Sequence, residues 1–212
     1  MAAKVVAVAQ QKGGAGKTTI AAQLAVTWTA QRKRVALLDV DPQRSLSFWG
    51  AERERGGIKG PPAVLGIQGW RLATEIDRLK SEFDLLVIDT PPHADSDARV
   101  AARAAALILV PLQPSPMDLW ATAPTLELAR REKGRALLVL NRVPARARLV
   151  ETVTARIAAE GMPLAEARLG NRSAFAASML EGKGVTESHP RSAAAEEVAA
   201  LAAEIAGFLK AS

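Results

Sequence analysis

The sequence predicts a doubly wound α/β fold, a mainly parallel central sheet flanked by helices. Three observations predict it. Six short apolar runs punctuate the chain, and most are continuous rather than alternating, the pattern of strands buried on both faces. Longer segments with helical character separate them, as βαβ units require. Glycine-rich, acidic or amide residues stand just after the runs, where ligands bind in such sheets, beyond the carboxyl ends of the strands.

The expected strands are residues 5–9, 35–39, 63–67, 85–89, 107–111 and 136–141. The expected helices are 18–31, 45–53, 70–81, 97–105, 117–130, 148–160, 172–181 and 193–209. The stretch 56–62, Gly-Gly-Ile-Lys-Gly-Pro-Pro, reads as a surface loop and not a domain boundary. With 212 residues the chain is expected to form one domain with a sizeable core.

Composition removes several classes of function. Without cysteine there are no disulfides, thiolate zinc sites, cysteine nucleophiles or cysteine-held clusters, and two histidines argue against a histidine-rich metal site. No apolar run approaches the roughly 20 residues of a membrane span, and the first residues lack a signal-peptide pattern, so the expected location is cytoplasmic. Lys plus Arg number 28 against 22 Asp plus Glu, a net charge of +6 that points mildly to an anionic partner such as nucleic acid.

The first expected strand runs into Gln10-Gln11-Lys12-Gly13-Gly14-Ala15-Gly16-Lys17-Thr18-Thr19. Glycines let backbone N–H groups turn toward phosphate oxygens, and the following helix adds its N-terminal dipole. Lys17 is placed to reach β- and γ-phosphates, Thr18 to ligate Mg²⁺, and Thr19 to touch the α-phosphate. A strict P-loop would have glycine at position 11, where Gln stands. The second strand ends in Asp39-Val40-Asp41-Pro42, whose two carboxylates share a face at i and i+2. The fourth ends in Asp89-Thr90-Pro91-Pro92, and Asp89 lies where a Mg²⁺-water ligand belongs. Downstream, Asp97 reads as a helix N-cap and Asp95 as solvent-facing, and His93 is not expected to act as a general base, because phosphoryl transfer needs positioning more than base strength. Asn141, after the sixth run, is either an adenine-edge contact or a turn residue. No N-K-x-D guanine signature follows it, which favours ATP over GTP.

The stretch 12–19 resembles the deviant Walker A motif of the ParA/MinD ATPase superfamily, whose additional lysine is Lys12 here. The resemblance runs along most of the chain and is nearest to short plasmid-type ParA (ParF-like) proteins, without room for an N-terminal helix-turn-helix domain. It implies a Mg²⁺-dependent ATP-sandwich homodimer in which Lys12 crosses to the other subunit's phosphates. By the same match, Lys12, Lys17 and Asp41 are catalytic, with Asp41 positioning the attacking water. Thr18, Asp39 and Asp89 form the magnesium set. Gly13, Gly14, Ala15, Gly16, Lys17, Thr18, Thr19, Pro111 and Asn141 hold ATP or ADP.

ParA-type proteins bind duplex DNA without sequence preference in the ATP dimer, and a ParB-like or adaptor protein stimulates hydrolysis. The resemblance therefore implies a nucleoid-associated switch that segregates or positions a plasmid, chromosome or protein cargo. Between positions 130 and 148, Arg130, Arg131, Lys133, Arg135, Arg142, Arg146 and Arg148 stand against one acid, Glu132, a composition suited to phosphate binding. Arg168 and Arg172 follow, and Arg146, Arg168 and Arg172 are the candidate DNA contacts. Three other readings stay open: a metabolic amide-forming enzyme on the same fold, a MinD-like positioning ATPase, and a scaffold that binds ATP without turnover. The acidic C-terminal helix, with Glu196, Glu197 and Glu204 against Lys210, argues against a basic membrane-binding tail, so no membrane partner is expected.

Overall fold

The computed structural model describes residues 2–92, 95–145 and 148–210, apart from the side chains of Asp95 and Arg148. Six strands, β1 (Lys4–Val8), β2 (Val35–Asp39), β3 (Ala63–Gly66), β4 (Leu85–Asp89), β5 (Leu107–Leu112) and β6 (Ala136–Leu140), form one sheet in the order β3-β2-β4-β1-β5-β6. Every pairing is parallel. Parallel pairing follows from the continuous apolar runs, because each strand sends side chains into both layers. Leu37, Val87, Leu109 and Val139 pack on one face; Leu38, Ile88, Val110 and Leu140 pack on the other.

On the first face lie α1 (Lys17–Ala30), α2 (Ser45–Arg55), α8 (Ser173–Leu180), α9 (Val185–Ser188) and α10 (Ala193–Lys210). Helix α1 is buried along most of its length because α10 covers it: Leu201, Ala202 and Ile205 join its core, and Trp28 Nε1 donates to Ala202 O at 3.3 Å. On the second face lie α3 (Leu72–Leu79), α4 (Asp95–Ala104), α6 (Ala123–Arg131) and α7 (Arg148–Ala159). Among the described residues no helix is long and apolar enough to cross a membrane.

Several boundaries differ from the sequence reading. The expected helix 117–130 is two, α5 (Pro116–Trp120) and α6. Pro124 lies in the first turn of α6, where its missing N–H costs nothing, and it could not have continued α5. The expected helix 70–81 begins as a 3-10 turn, Gly69–Arg71, before α3. Asp97 is not an N-cap: α4 already starts at Asp95, and the Asp97 carboxyl lies against Gly69, leaving no room there for a Cβ. The side chain of Asp95 and all of His93 fall outside the described residues. Helix α9 was not anticipated, being only four residues long.

Candidate functional site

The chain reverses on either side of β1, leftward to β2 and later rightward to β5, so a crevice opens at the carboxyl end of β1. Residues 9–16 fold over it. Gly14 and Gly16 hold φ of +77° and +92°, and a Cβ on Gly16 would stand 2.3 Å from Asn141 Nδ2. Only glycine satisfies both demands there. Gly16 caps α1 without a side-chain acceptor, so the first N–H groups of a buried helix are left for an anion. Lys17 is 7% exposed, and its Nζ donates to Gln10 O at 3.1 Å. Burial lowers its pKa, while Asp89 and Asp41 oppose that shift and keep the cation in a carboxylate field.

Strands β2 and β4 bring the expected carboxylates together at register partners Asp39 and Asp89. Thr18 Oγ1 donates to Asp89 Oδ2 at 2.6 Å. The other Asp89 oxygen is buried and has no hydrogen-bond partner among the described residues. Burial pushes the Asp89 carboxyl up to about 7; Asp39 and Asp41 add to the rise, and the Thr18 hydrogen bond and Lys17 work against it. A hydroxyl, a carboxylate with an idle oxygen and a deficit of local positive charge fit Mg²⁺, which takes hard oxygen ligands and usually completes its shell with phosphates and water. Among the described residues no cage of three His, Cys, Asp or Glu side chains exists, so protein alone does not enclose such an ion.

Asp39, expected in the magnesium set, accepts hydrogen bonds at both carboxylate oxygens. Its Oδ2 accepts from Ser47 N and Ser47 Oγ, both at 2.7 Å, and its Oδ1 accepts from Asp41 N at 3.2 Å. It therefore ties the loop 40–44 and the first turn of α2 to the strand end. Asp41 Oδ1 accepts from Gln43 N at 2.9 Å in a turn, and Arg44 follows with φ of +53°. Thr90 Oγ1, next after Asp89, donates to Val8 O at 2.9 Å.

A cavity of about 450 Å³ lies beside the loop, with Gly16, Thr19, Asn141, Gly170, Asn171 and Phe175 among its lining residues. Asn141 Nδ2 donates to Ala15 O at 2.8 Å, and its Oδ1 accepts from Arg142 N at 2.9 Å. The amide thus locks the glycine loop to the end of β6. Pro111 lies in β5, and its carbonyl accepts from Gln10 Nε2 at 3.3 Å. Proline fits here because β1 pairs with β5 only as far as Leu109, so no ladder N–H is required on that side.

Lys12 is held within its own chain. Its Nζ lies 2.5 Å from Asp118 Oδ2, which also accepts from Ser115 Oγ at 2.5 Å. Burial would raise the Asp118 carboxyl, but the hydrogen bonds from Lys12 and Ser115 hold it below the ordinary carboxylate range. Lys12 remains 39% exposed, at the mouth of the site.

Of the three expected DNA contacts, Arg168 and Arg172 lie among the described residues. Arg146 lies outside the described residues. Arg168 is exposed. Arg172 is gripped by Glu197, with Nη2–Oε1 at 2.6 Å and Nε–Oε1 at 3.0 Å. The basic window is also less free than its composition implies: Arg130 and Arg131 both bond Glu127, just upstream of it, and Arg135 donates to Phe208 O at 3.1 Å. Arg142 is exposed, with φ of +52°.

Sequence reasoning missed Asp118, Ser47 and Glu197 as partners of site residues. Only Ser115-Pro-Met-Asp118 carried a signal: Ser115 is an N-cap whose hydroxyl accepts from Asp118 N at 3.1 Å. Glu197 accepts from Gly170 N at 2.9 Å and so fixes one wall of the cavity from α10.

The comparisons agree with this geometry. Residues 6–185 match the model of the CobQ/CobB/MinD/ParA nucleotide binding domain. The chain is 31% identical to Maintenance of carboxysome distribution protein A of Halothiobacillus neapolitanus, over 94% of each. It is 36% identical to the protein of the same name from Gloeobacter kilaueensis, over 87% of this chain and 84% of that one. The crystal structure of the cell division ATPase MinD of Pyrococcus furiosus shares the fold with a TM-score of 0.81, at 23% identity, over 97% and 99% of the two chains. The glycine loop, the two-sided parallel sheet and the family match lead to one statement: the chain belongs to the CobQ/CobB/MinD/ParA nucleotide-binding family.

Proposed function

We propose that this chain is a ParA-type positioning ATPase, a slow Mg²⁺-ATP switch that works as a homodimer on DNA. The observation that carries the nucleotide part is the buried Asp89 carboxylate, one oxygen on Thr18 and the other idle, beside buried Lys17. Thr18 would ligate the metal, and Asp89 would hold its water shell. Bound there, Mg²⁺ would neutralise β- and γ-phosphate charge. Lys17 and the loop N–H groups would orient the phosphates, and Asp41 would position the attacking water. Lys12 would leave Asp118 and cross to the partner's phosphates, so that dimer closure and catalysis are one event. Thr19 would touch the α-phosphate, and Pro111 and Asn141 would bound the base.

Relatives named for carboxysome distribution favour a protein-bound body over a plasmid as cargo, with an adaptor protein as the hydrolysis-stimulating partner. Arg146, Arg168 and Arg142 are the arginines proposed to meet DNA phosphates. Arg172 would join them only by leaving Glu197.

The test is ATP turnover and binding to unrelated duplexes with ATP, ADP or no nucleotide, for wild type and Asp41→Ala. The expected result is DNA binding that needs ATP, weakens with salt and ignores sequence, with turnover lost in the variant but ATP binding kept. Turnover without DNA binding in any state would overturn the DNA part. Equal turnover in Asp41→Ala would overturn the catalytic assignment.

A further inference from the structure

The two edges of the sheet are finished differently. The outer side of β6 is covered by the segment 163–170: Leu138 N donates to Pro163 O, and Ala165 N to Leu138 O, both at 2.8 Å. Strand β3 has β2 on one side and no strand on the other among the described residues. Ile67 N donates inward to Asp39 O at 2.8 Å, so by strand alternation Val64 and Gly66 turn their N–H and C=O groups to the open side. Open edges are ordinarily blunted by lysine, proline or a bulge, and Ala63-Val64-Leu65-Gly66 carries none of these.

A groove of about 430 Å³ follows this edge from Val64 to Gln68. Its charged lining is Arg44, Arg71 and Arg78 against Glu75, an excess of two positive charges. Arg71 and Arg78 both bond Glu75, at 2.7 and 3.0 Å. Arg44 forms no ion pair among the described residues. At the end of the edge Trp70 is 81% exposed. It is nonetheless fixed in place, because Nε1 donates to Gln68 Oε1 at 2.8 Å and the Arg71 guanidinium lies 5.8 Å from its ring centroid.

We propose that the open edge of β3 is a docking groove for an extended acidic segment of a partner protein. The segment adds as an outer strand on Val64 and Gly66, sets carboxylates against Arg44 and Arg71, and lays an apolar side chain on Trp70. Main-chain bonds supply affinity, and the arginines and Trp70 supply selectivity. A second copy of this chain is a poor occupant, because edge-to-edge pairing sets the arginine row against its own counterpart. The inference does not depend on the reading of the nucleotide site. It does place the partner beside the loop 40–44, since Gly66 is the register partner of Asp39.

The probe is a fluorescein-labelled peptide of about ten residues alternating Glu and Val, long enough for one strand. It is titrated into the full chain, with amide hydrogen exchange read along β3. A Lys-Val peptide of the same length is the control. The expected result is saturable binding of the acidic peptide alone, with slowed exchange at Val64 and Gly66. Arg44→Glu and Trp70→Ala should each weaken it about ten-fold or more, and both side chains are exposed enough to change without unfolding the protein. No saturation up to about 1 mM, equal binding of the Lys-Val peptide, unaltered β3 exchange, or unchanged affinity in both variants would each overturn the proposal. So would self-association through β3 that Arg44→Glu strengthens, or protection of the same amides by duplex DNA.

Discussion

The ion pair between Arg53 and Glu187 and the pair between Lys12 and Asp118 differ in which partner is buried. Arg53 is 5% exposed; its two terminal nitrogens bond Glu187 at 2.7 and 2.8 Å, and they also donate to Gly182 O and Pro61 O. A planar guanidinium so enclosed cannot leave without exposing several acceptors at once, so it staples α2 to α9 and to the turn before it. In the other pair the acid is the fixed member. Asp118 is 5% exposed and anchored by Ser115, whereas Lys12 makes one point contact from a flexible stem in a glycine loop. Lys12 can depart while its acceptor stays satisfied in part. Burying the cation builds a permanent joint, and burying the anion builds a resting place for a movable cation.

The largest effect that would test this contrast is on the staple. Arg53→Ala should destabilise the protein by about 3 kcal/mol, because the buried hydrogen bonds to Glu187, Gly182 O and Pro61 O are lost together. Denaturant unfolding measures it, and the folded fraction should bind nucleotide as wild type does. A loss under about 1 kcal/mol would mean that the joint is replaceable. Lys12→Ala should show the reverse balance. Turnover should fall about 100-fold, the size expected for removing a charge that acts in the transition state. Unfolding should cost only about 1–2 kcal/mol, because Ser115 still serves Asp118.

Asp118→Asn sharpens the comparison further. It keeps the Ser115 contact and frees Lys12, so ATP-dependent self-association by light scattering should rise about three-fold, with stability changed by less than about 1 kcal/mol. The pH dependence has a definite sign. The Asp118 carboxyl is depressed in the folded protein, so its contribution is present above the unfolded value and lost as pH falls through the folded one. The stability gap between wild type and Asp118→Asn should be flat from about pH 8 to 5 and close below about pH 4. The smallest effect belongs to Arg34 and Asp84, a surface pair 2.8 Å apart whose arginine holds the carboxyl at about 2. Arg34→Ala should leave the melting temperature at pH 7 unchanged within error, since solvent screens that contact.

The same contrast explains what the sequence disclosed. The glycine loop was legible because its parts are contiguous, from Gln10 to Thr19. Asp39, Asp41 and Asp89 were legible because an apolar run that ends in a carboxylate marks a strand's carboxyl end. What escaped was pairing across the fold. Lys12 and Asp118 lie 106 positions apart, and Arg53 and Glu187 lie 134 apart; no local period announces either. Arg172 and Glu197, 25 positions apart, escaped for the same reason, and a count of basic residues treated as free an arginine that is held. The break between α5 and α6 is a different kind of miss. Pro124 was visible, and its inability to continue a helix was sufficient to place the boundary.

The central claim is that Lys12 leaves Asp118 to act on the partner subunit's nucleotide. The direct measurement is ATP turnover of an equimolar mixture of Lys12→Ala and Asp41→Ala chains, each nearly inactive alone. If Lys12 acts across the dimer, every mixed dimer contains one complete site. Random pairing then restores about a quarter of wild-type turnover. If Lys12 serves its own subunit, both sites of the mixed dimer are broken, and turnover no greater than the average of the two separate variants would contradict the account.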